Sequence, residues 1–552
     1  MPIHNILGRH VIWYDKERVD KYWPILSNFI TGRYKTINNK NNEQIKEIFK
    51  DSFNFLCDQF LNEVKSQIDV SFYVYVHALH ETSIEIWYEQ LNGRSIAPFD
   101  ENDFSLYRRV LKIILEQSCD YELIVGDNIP TDIIENNSAF QDVTENLLYL
   151  GTWIWGFASF VASIDMMGPI HGIEVDEKGI VSIITNPPYN VLIREMKKDY
   201  ESHTNCVTID NDGISNFKQA IIDLFNVDYD HAFGFLNEQL IDPKTTYGLL
   251  KIEDLKSNIS DTFCYNKADV DRLFDGLTLT RGNKLSIQES VLQSQDINRY
   301  LYRPFLKVST QLGQFVIAGR NKFLESISQL TTNAIPWNYA PVEWMSNSSF
   351  EKYVTHRQNM HDSILEDEVE QIFSSRKIPY ERNIRSFVTN TGNNIRCDIK
   401  NVGEIDFIFI NTNKKIIFVA DCKYHRSRYD NITWKKEFSN FIESYETKLM
   451  NKRRWIENNI KVILFHFRTK HGLKFEDWMK YSVQELFIIN APNFYYYNGN
   501  LPCHTLYSLN QLLDDKHQEV IHEITFEKNG KEVVAIIERP YFQNAANILA
   551  RR

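Results

Sequence analysis

Apolar positions in the first third of the chain recur at helical spacing. Ile45, Ile48, Phe49, Phe53, Leu56 and Phe60 predict a helix over 45–64, and Phe104–Leu115 repeats the pattern. Val70–Val76, a short run of β-branched and aromatic residues, predicts a strand. Ile173–Val175 and Ile180–Ile184 flank Asp176-Glu177-Lys178-Gly179 and predict a hairpin. Leu147–Ile164 carries no charge and is close to the length of a membrane span. Glu145 and Asp165 bracket it, no Lys or Arg anchors it, and Thr152, Gly156, Ser159 and Ser163 form a small, hydroxylated stripe. These features predict a buried central helix and no membrane partner.

The pattern changes after Ala334–Ser349, where Pro336, Pro341 and a polar run predict a boundary. Beyond it a helix is expected over His361–Ser374 and a strand over Tyr380–Val388. Two apolar runs follow, Gly403–Ile410 and Ile416–Lys423, then a basic helix over Thr433–Asn458 and an apolar strand over Lys461–Phe467. Helix, strands, helix and strand make an α/β unit. Asn529-Gly530 between Ile524–Phe526 and Val533–Ile537 predicts a closing hairpin. The expected organisation is an N-terminal recognition, regulatory or oligomerisation region over 1–345, an α/β domain over 346–490, and an extension over 491–552.

Composition narrows the setting. Hydrophobic content is 43% and charged content 24%, ordinary for a globular protein. Seven scattered cysteines without a Cys-x-x-Cys pair suggest neither a zinc site nor a disulfide framework. Met1–Asn5 lacks the charged and apolar regions of a signal peptide, so a cytoplasmic location is expected. The net charge of −12 excludes a global basic field. Locally, however, residues 414–474 carry fifteen Lys and Arg against six Asp and Glu. That surplus suits a phosphate backbone, and a solvated basic helix would read the same way.

The chemistry concentrates in the two apolar runs. Each carries an aspartate, Asp406 and Asp421, and charge inside an apolar strand is costly unless compensated. Strand alternation puts Asp421 and Lys423 on one face and Cys422 on the other. A tight reversal near Asn413-Lys414 would bring Asp406 opposite Asp421, about 5 Å away. Two carboxylates and the Cys422 carbonyl would satisfy Mg²⁺ (or Mn²⁺), which prefers hard oxygen ligands. Beside that ion, the Lys423 ammonium could orient a water and stabilise charge on a phosphate. An ion-pair ladder on a solvated sheet face is the structural alternative.

Asp406, Asp421, Cys422 and Lys423 resemble the core of the PD-(D/E)xK, or restriction-endonuclease-like, nuclease superfamily. Ile405 stands where the name-giving pattern has proline. The resemblance covers about residues 355–470. It implies an α/β restriction-endonuclease-like C-terminal domain, with a mixed central sheet flanked by helices, joined to a large, mainly helical α+β N-terminal region. It also implies metal-dependent phosphodiester hydrolysis with Asp406, Asp421, Lys423 and Glu366 catalytic. Glu366 would be a third acidic contributor from the preceding helix, with Val369 and Ile372 at helical spacing after it. Tyr445 and Lys448 are expected as helix-borne partners of the site. Lys435, Lys436, Lys452, Arg453 and Arg454 are expected to contact nucleic acid, DNA ahead of RNA. Restriction or anti-phage defence is the analogous setting, and an inactivated, nucleic-acid-binding scaffold is the alternative. No Gly-x-x-x-x-Gly-Lys loop is present, so an ATPase would be a separate partner, and a homo-oligomer is compatible.

Three further motifs read as structural. Asn186-Pro187-Pro188-Tyr189 matches an adenine methyltransferase tetrapeptide but lacks a nearby glycine-rich turn. His77-Ala78-Leu79-His80-Glu81 has the wrong spacing for a zinc helix, and Asp210-Asn211-Asp212-Gly213 is an incomplete calcium loop.

Overall fold

In a computed structural model, the described residues are 3–34, 41–126, 137–176, 179–186, 188–203, 213–240, 248–426, 430–474, 478–518, 521–528 and 531–550. Helices dominate, and the sheets are mixed with no closed barrel among the described residues.

The helices Asn42–Lys65 and Ser138–Met167 pack on each other through Phe49 and Phe157, whose ring centroids lie 5.7 Å apart. Leu147, Leu148, Leu150 and Phe157 of the expected buried helix are fully covered. Its hydroxylated stripe has partners: Ser163 Oγ lies 2.9 Å from the His171 ring, and Ser159 Oγ accepts from Asn431 Nδ2 at 3.1 Å. The hairpin over 171–185 forms as expected, with Ile173 opposite Ile183.

Val70–Val76 is not a strand. It opens the helix Val70–Leu91, capped by Asp69, whose carboxylate accepts from Ser71 N at 2.8 Å. All seven residues are buried, so neither an alternating nor a helical period shows in them. His77 and His80 are buried in this helix, and Glu81 caps the helix Arg320–Gln329 by accepting from Asn321 N and Lys322 N at 2.9 and 2.7 Å. Asn186 directly follows the second strand of the 171–185 hairpin, and the buried Tyr189 ring stacks on Phe542. Of the incomplete calcium loop only Gly213 lies within the described residues.

The proline-rich stretch expected as a boundary is folded core. Ile335, Pro336 and Trp344 are buried, and Trp344 packs against Phe217, Phe225 and Phe350. The helix that follows, α1 (Ser348–Ser375), belongs to two cores. Phe350 and Val354 join the second N-terminal core, whereas Leu365, Val369 and Phe373 pack on a sheet. At 1.5 Å per residue, this helix is a rod of about 40 Å that links the two.

That sheet has five strands in the order β1 (Tyr380–Ile384), β2 (Ile405–Asn411), β3 (Ile416–Lys423), β4 (Ser482–Ile489) and β5 (Cys503–Thr505). The first three are antiparallel neighbours, and β3, β4 and β5 are parallel. The sheet thus continues past residue 490. After β3 come α2 (Asn431–Asn440), a π-helical turn (Phe441–Tyr445) and α3 (Glu446–Asn458), close to the expected basic helix. Lys461–Phe467, expected as a strand, lies in α4 (Ile460–His471). Ile463, Leu464 and Phe467 face the core at helical spacing, and Gly472 closes the helix at φ +66°. α3 and α4 cover one face of the sheet, and α1 with α5 (Leu506–Leu513) covers the other.

The closing hairpin pairs His522–Lys528 with Lys531–Ile537, and Ile524, Phe526 and Ile537 return to the N-terminal core.

Gly276 lies against the indole of Trp344, and any Cβ there would run into that ring. Trp344 is also fixed by its Nε1–H, which donates to Arg272 O at 3.0 Å. Gly276→Ala is therefore expected to destabilise the second N-terminal core by about 1–3 kcal/mol, the usual effect of overpacking. Urea unfolding checks this, and an unchanged midpoint would show that the indole moves freely.

Candidate functional site

Strand register builds the site. Phe407 pairs with Ala420 and Phe409 with Phe418 across β2 and β3. Continuing that register puts Asp406 opposite Asp421, as the alternation predicts. Phe407, Phe409, Phe418 and Ala420 face α1, while Ile408, Ile410, Ile417 and Val419 face α3. Asp406, Asp421 and Lys423 share the α3 face by parity, and Cys422 shares the α1 face.

The charged groups converge. Asp406 Oδ2 accepts from Cys422 N at 2.8 Å. Lys423 Nζ lies 2.6 Å from Asp421 Oδ2 and donates to Cys422 O at 3.2 Å. Its ammonium also sits 5.2 Å from the centroid of the Tyr445 ring. A second ammonium enters from α3: Lys452 Nζ is 2.5 Å from Asp421 Oδ1 and 3.6 Å from Asp406 Oδ1. Asp421 is only 2% exposed and Lys452 6%.

The two carboxylates titrate apart. Burial, then the charge of Asp421, pushes the Asp406 carboxyl well above the usual range. Burial also works against ionising Asp421, but Lys423 and Lys452 outweigh it and hold that carboxyl low. Burial disfavours the charged Lys423, yet Asp421 and Asp406 raise its pKa above the ordinary value, so it remains an ammonium at neutral pH.

Asp406, Cys422 and Lys423 form the floor of a cleft of about 780 Å³, with Asp421 beneath them. Glu366, Lys436 and Tyr445 line the same cleft. Glu366 arrives from α1 on the opposite side of the sheet, and its carboxylate is held by Arg382 of β1 at 3.1 Å. Arg382 also binds Asp367 and Glu370, each at 2.6 Å, and so ties α1 to the edge strand.

The basic residues expected to meet nucleic acid divide. Lys436 opens into the cleft, and Lys448 and Arg454 are exposed. Lys435 pairs with Asp165, and Arg453 binds Glu485 and Glu457 at 2.8 and 2.9 Å. Lys452 is a correction: it is buried among the aspartates, one turn of α3 beyond exposed Lys448. Sequence reading also missed the far wall of the cleft, formed by Leu292–Asp296 and by Pro336, Trp337 and Tyr339. Nothing in the local pattern links those segments to β3.

Two carboxylates and a backbone carbonyl are a hard-oxygen donor set suited to Mg²⁺ or Mn²⁺. Where the carboxylates converge, the structure already places a cationic group, the Lys452 ammonium. Among the described residues no three His, Cys, Asp or Glu side chains gather as a metal cluster, and Glu366 is drawn off by Arg382.

Compared with protein-family models, with curated proteins and with solved structures, the chain matches none.

Proposed function

We propose that this chain is a divalent-metal-dependent nuclease of the restriction-endonuclease-like class, cutting phosphodiester bonds of nucleic acid, DNA ahead of RNA. One observation carries the reading: Asp406, Asp421 and Lys423 converge on one sheet face at the base of a cleft. The mixed sheet with helices on both faces supports the fold class. Asp406, Asp421 and the Cys422 carbonyl would hold the ion. A bound Mg²⁺ or Mn²⁺ would lower the pKa of a coordinated water and polarise the phosphate. Lys423, held as an ammonium, would position the phosphate and stabilise its developing charge rather than accept a proton. Asp421 fixes that ammonium, and the Tyr445 ring packs beside it. Restriction or antiviral defence, in a cytoplasmic setting, is the proposed context by analogy.

A second reading rests on Lys452. Two ammonium groups already compensate the two carboxyl groups without an ion, and a non-catalytic nucleic-acid-binding or scaffold role also fits.

Cleavage assays on plasmid and single-stranded substrates with Mg²⁺, Mn²⁺ or EDTA test the nuclease. Asp421→Ala and Lys423→Ala are each expected to lower the metal-dependent rate at least about 100-fold. Equal cutting by wild type and Asp421→Ala would move the active site elsewhere.

Lys452→Met separates the two readings through stability. In EDTA it is expected to lower stability by about 3 kcal/mol, because it leaves buried carboxylates underpaired. At a metal site, added Mg²⁺ or Mn²⁺ recovers most of that loss by binding the folded state. Thermal unfolding that is indifferent to metal would favour the scaffold.

A further inference from the structure

The wall opposite the aspartates differs in character from the floor. Trp337 and Tyr339, supplied by the N-terminal region, face Tyr424 and Arg426, which directly follow the catalytic strand. The Arg426 guanidinium lies 5.2 Å from the Trp337 ring centroid and 5.0 Å from that of Tyr339. It donates to Gln295 Oε1 at 3.1 Å and to the Asn333 carbonyl, which holds its plane in place. Trp337 and Tyr424 have ring centroids 5.6 Å apart, and Tyr339 is 36% exposed. The wall is therefore a row of planar groups, fixed at one end and open at the other.

Planar side chains and guanidinium planes recognise unpaired bases by stacking, which is possible only where a base offers a face that no neighbour covers. In a duplex the base faces are stacked on one another, so a base can stack on a protein ring only from a single strand or as an extruded nucleotide. The cleft volume of about 780 Å³ lies in the range of pockets that enclose small ligands, roughly 300–1,000 Å³. Charge points the same way. Asp296 and Asp362 line the cleft with Lys423 and Lys436, so it accepts few phosphates. A duplex brings about one negative charge per 1.7 Å of axis, and a single strand half that density.

We infer that the substrate enters as an unpaired strand of nucleic acid, with a base stacked on the Trp337–Tyr339–Arg426 wall while its phosphate reaches Lys423. The inference rests on the nuclease reading for its chemistry, but its binding geometry stands separately. The N-terminal region then sets the strand preference directly, by supplying the wall opposite the aspartates.

Fluorescence anisotropy of the full-length protein in EDTA, with a labelled oligodeoxynucleotide alone or annealed to its complement, tests this. The single strand is expected to bind at least about tenfold more tightly than the duplex. Trp337→Ala and Tyr339→Ala are each expected to weaken single-strand binding about tenfold, and Trp337→Phe to restore most of it. A 2-aminopurine in the oligonucleotide should be quenched by wild type and not by the alanine variants. Equal or tighter binding of the duplex, or unchanged single-strand binding by Tyr339→Ala, overturns the inference. Circular dichroism checks folding, and if Trp337→Ala is unfolded, the more exposed Tyr339 decides. Mg²⁺ added afterwards separates the two readings. Tight single-strand binding without cutting sinks the nuclease and leaves the stacking wall. Cutting with equal affinity for duplex does the reverse.

Discussion

Two carboxylates side by side in an apolar sheet are the constraint on which the C-terminal half of this protein depends. Neither can be ionised there alone, because desolvation costs several kcal/mol per charge. Asp421 keeps its charge because Lys423 lies beside it on the same strand and Lys452 reaches it from α3. Asp406, with its nearest ammonium at 3.6 Å and a backbone N–H at 2.8 Å, carries the repulsion. The register of β2 on β3 and the docking of α3 are both tied to this pairing. A one-residue slip would send an aspartate to the face filled by Phe407, Phe409 and Phe418.

The same constraint decides how the two halves of the chain meet. The charged cluster sits at the C-terminal end of β3, so the segment leaving that strand must pass the N-terminal region. Arg426 binds there to Gln295 and Asn333, Asn431 to Ser159, and Lys435 to Asp165. On the opposite face α1 carries continuous helix from one core to the other. The cleft is thus bounded on both sides by elements that are packed into a core.

The strand pair was legible because its signals are local. Alternation assigns Asp421 and Lys423 to one face, and a short reversal brings Asp406 across from them. The buried helix was legible from charges that flank it without entering it. Val70–Val76 and Lys461–Phe467 were not, because short apolar runs buried on every side lose the period that separates strand from helix. For the second run, the closing signals of Gly472 and the basic last turn were present, but they lie beyond the apolar residues. The stretch with Pro336 and Pro341 is folded rather than a linker, and the change of core comes just after it, between Val354 and Leu365 of α1. Prolines start short helical turns as readily as linkers, and Trp344 found a core.

Sequence alone determined which residues could do chemistry and on which side of a strand they lie, since both follow from side-chain type and a period of two. It also pointed to Glu366 of α1, which lines the cleft. Tertiary structure alone decided what those residues are paired with. It took Glu366 for Arg382, chose Lys452 out of a helix with basic residues at four nearby positions, and set Trp337 and Tyr339 across from Lys423. Each of these is a contact between segments distant in sequence or between an element and its packing partner. Such contacts depend on which face of an element becomes buried, and no local spacing records that.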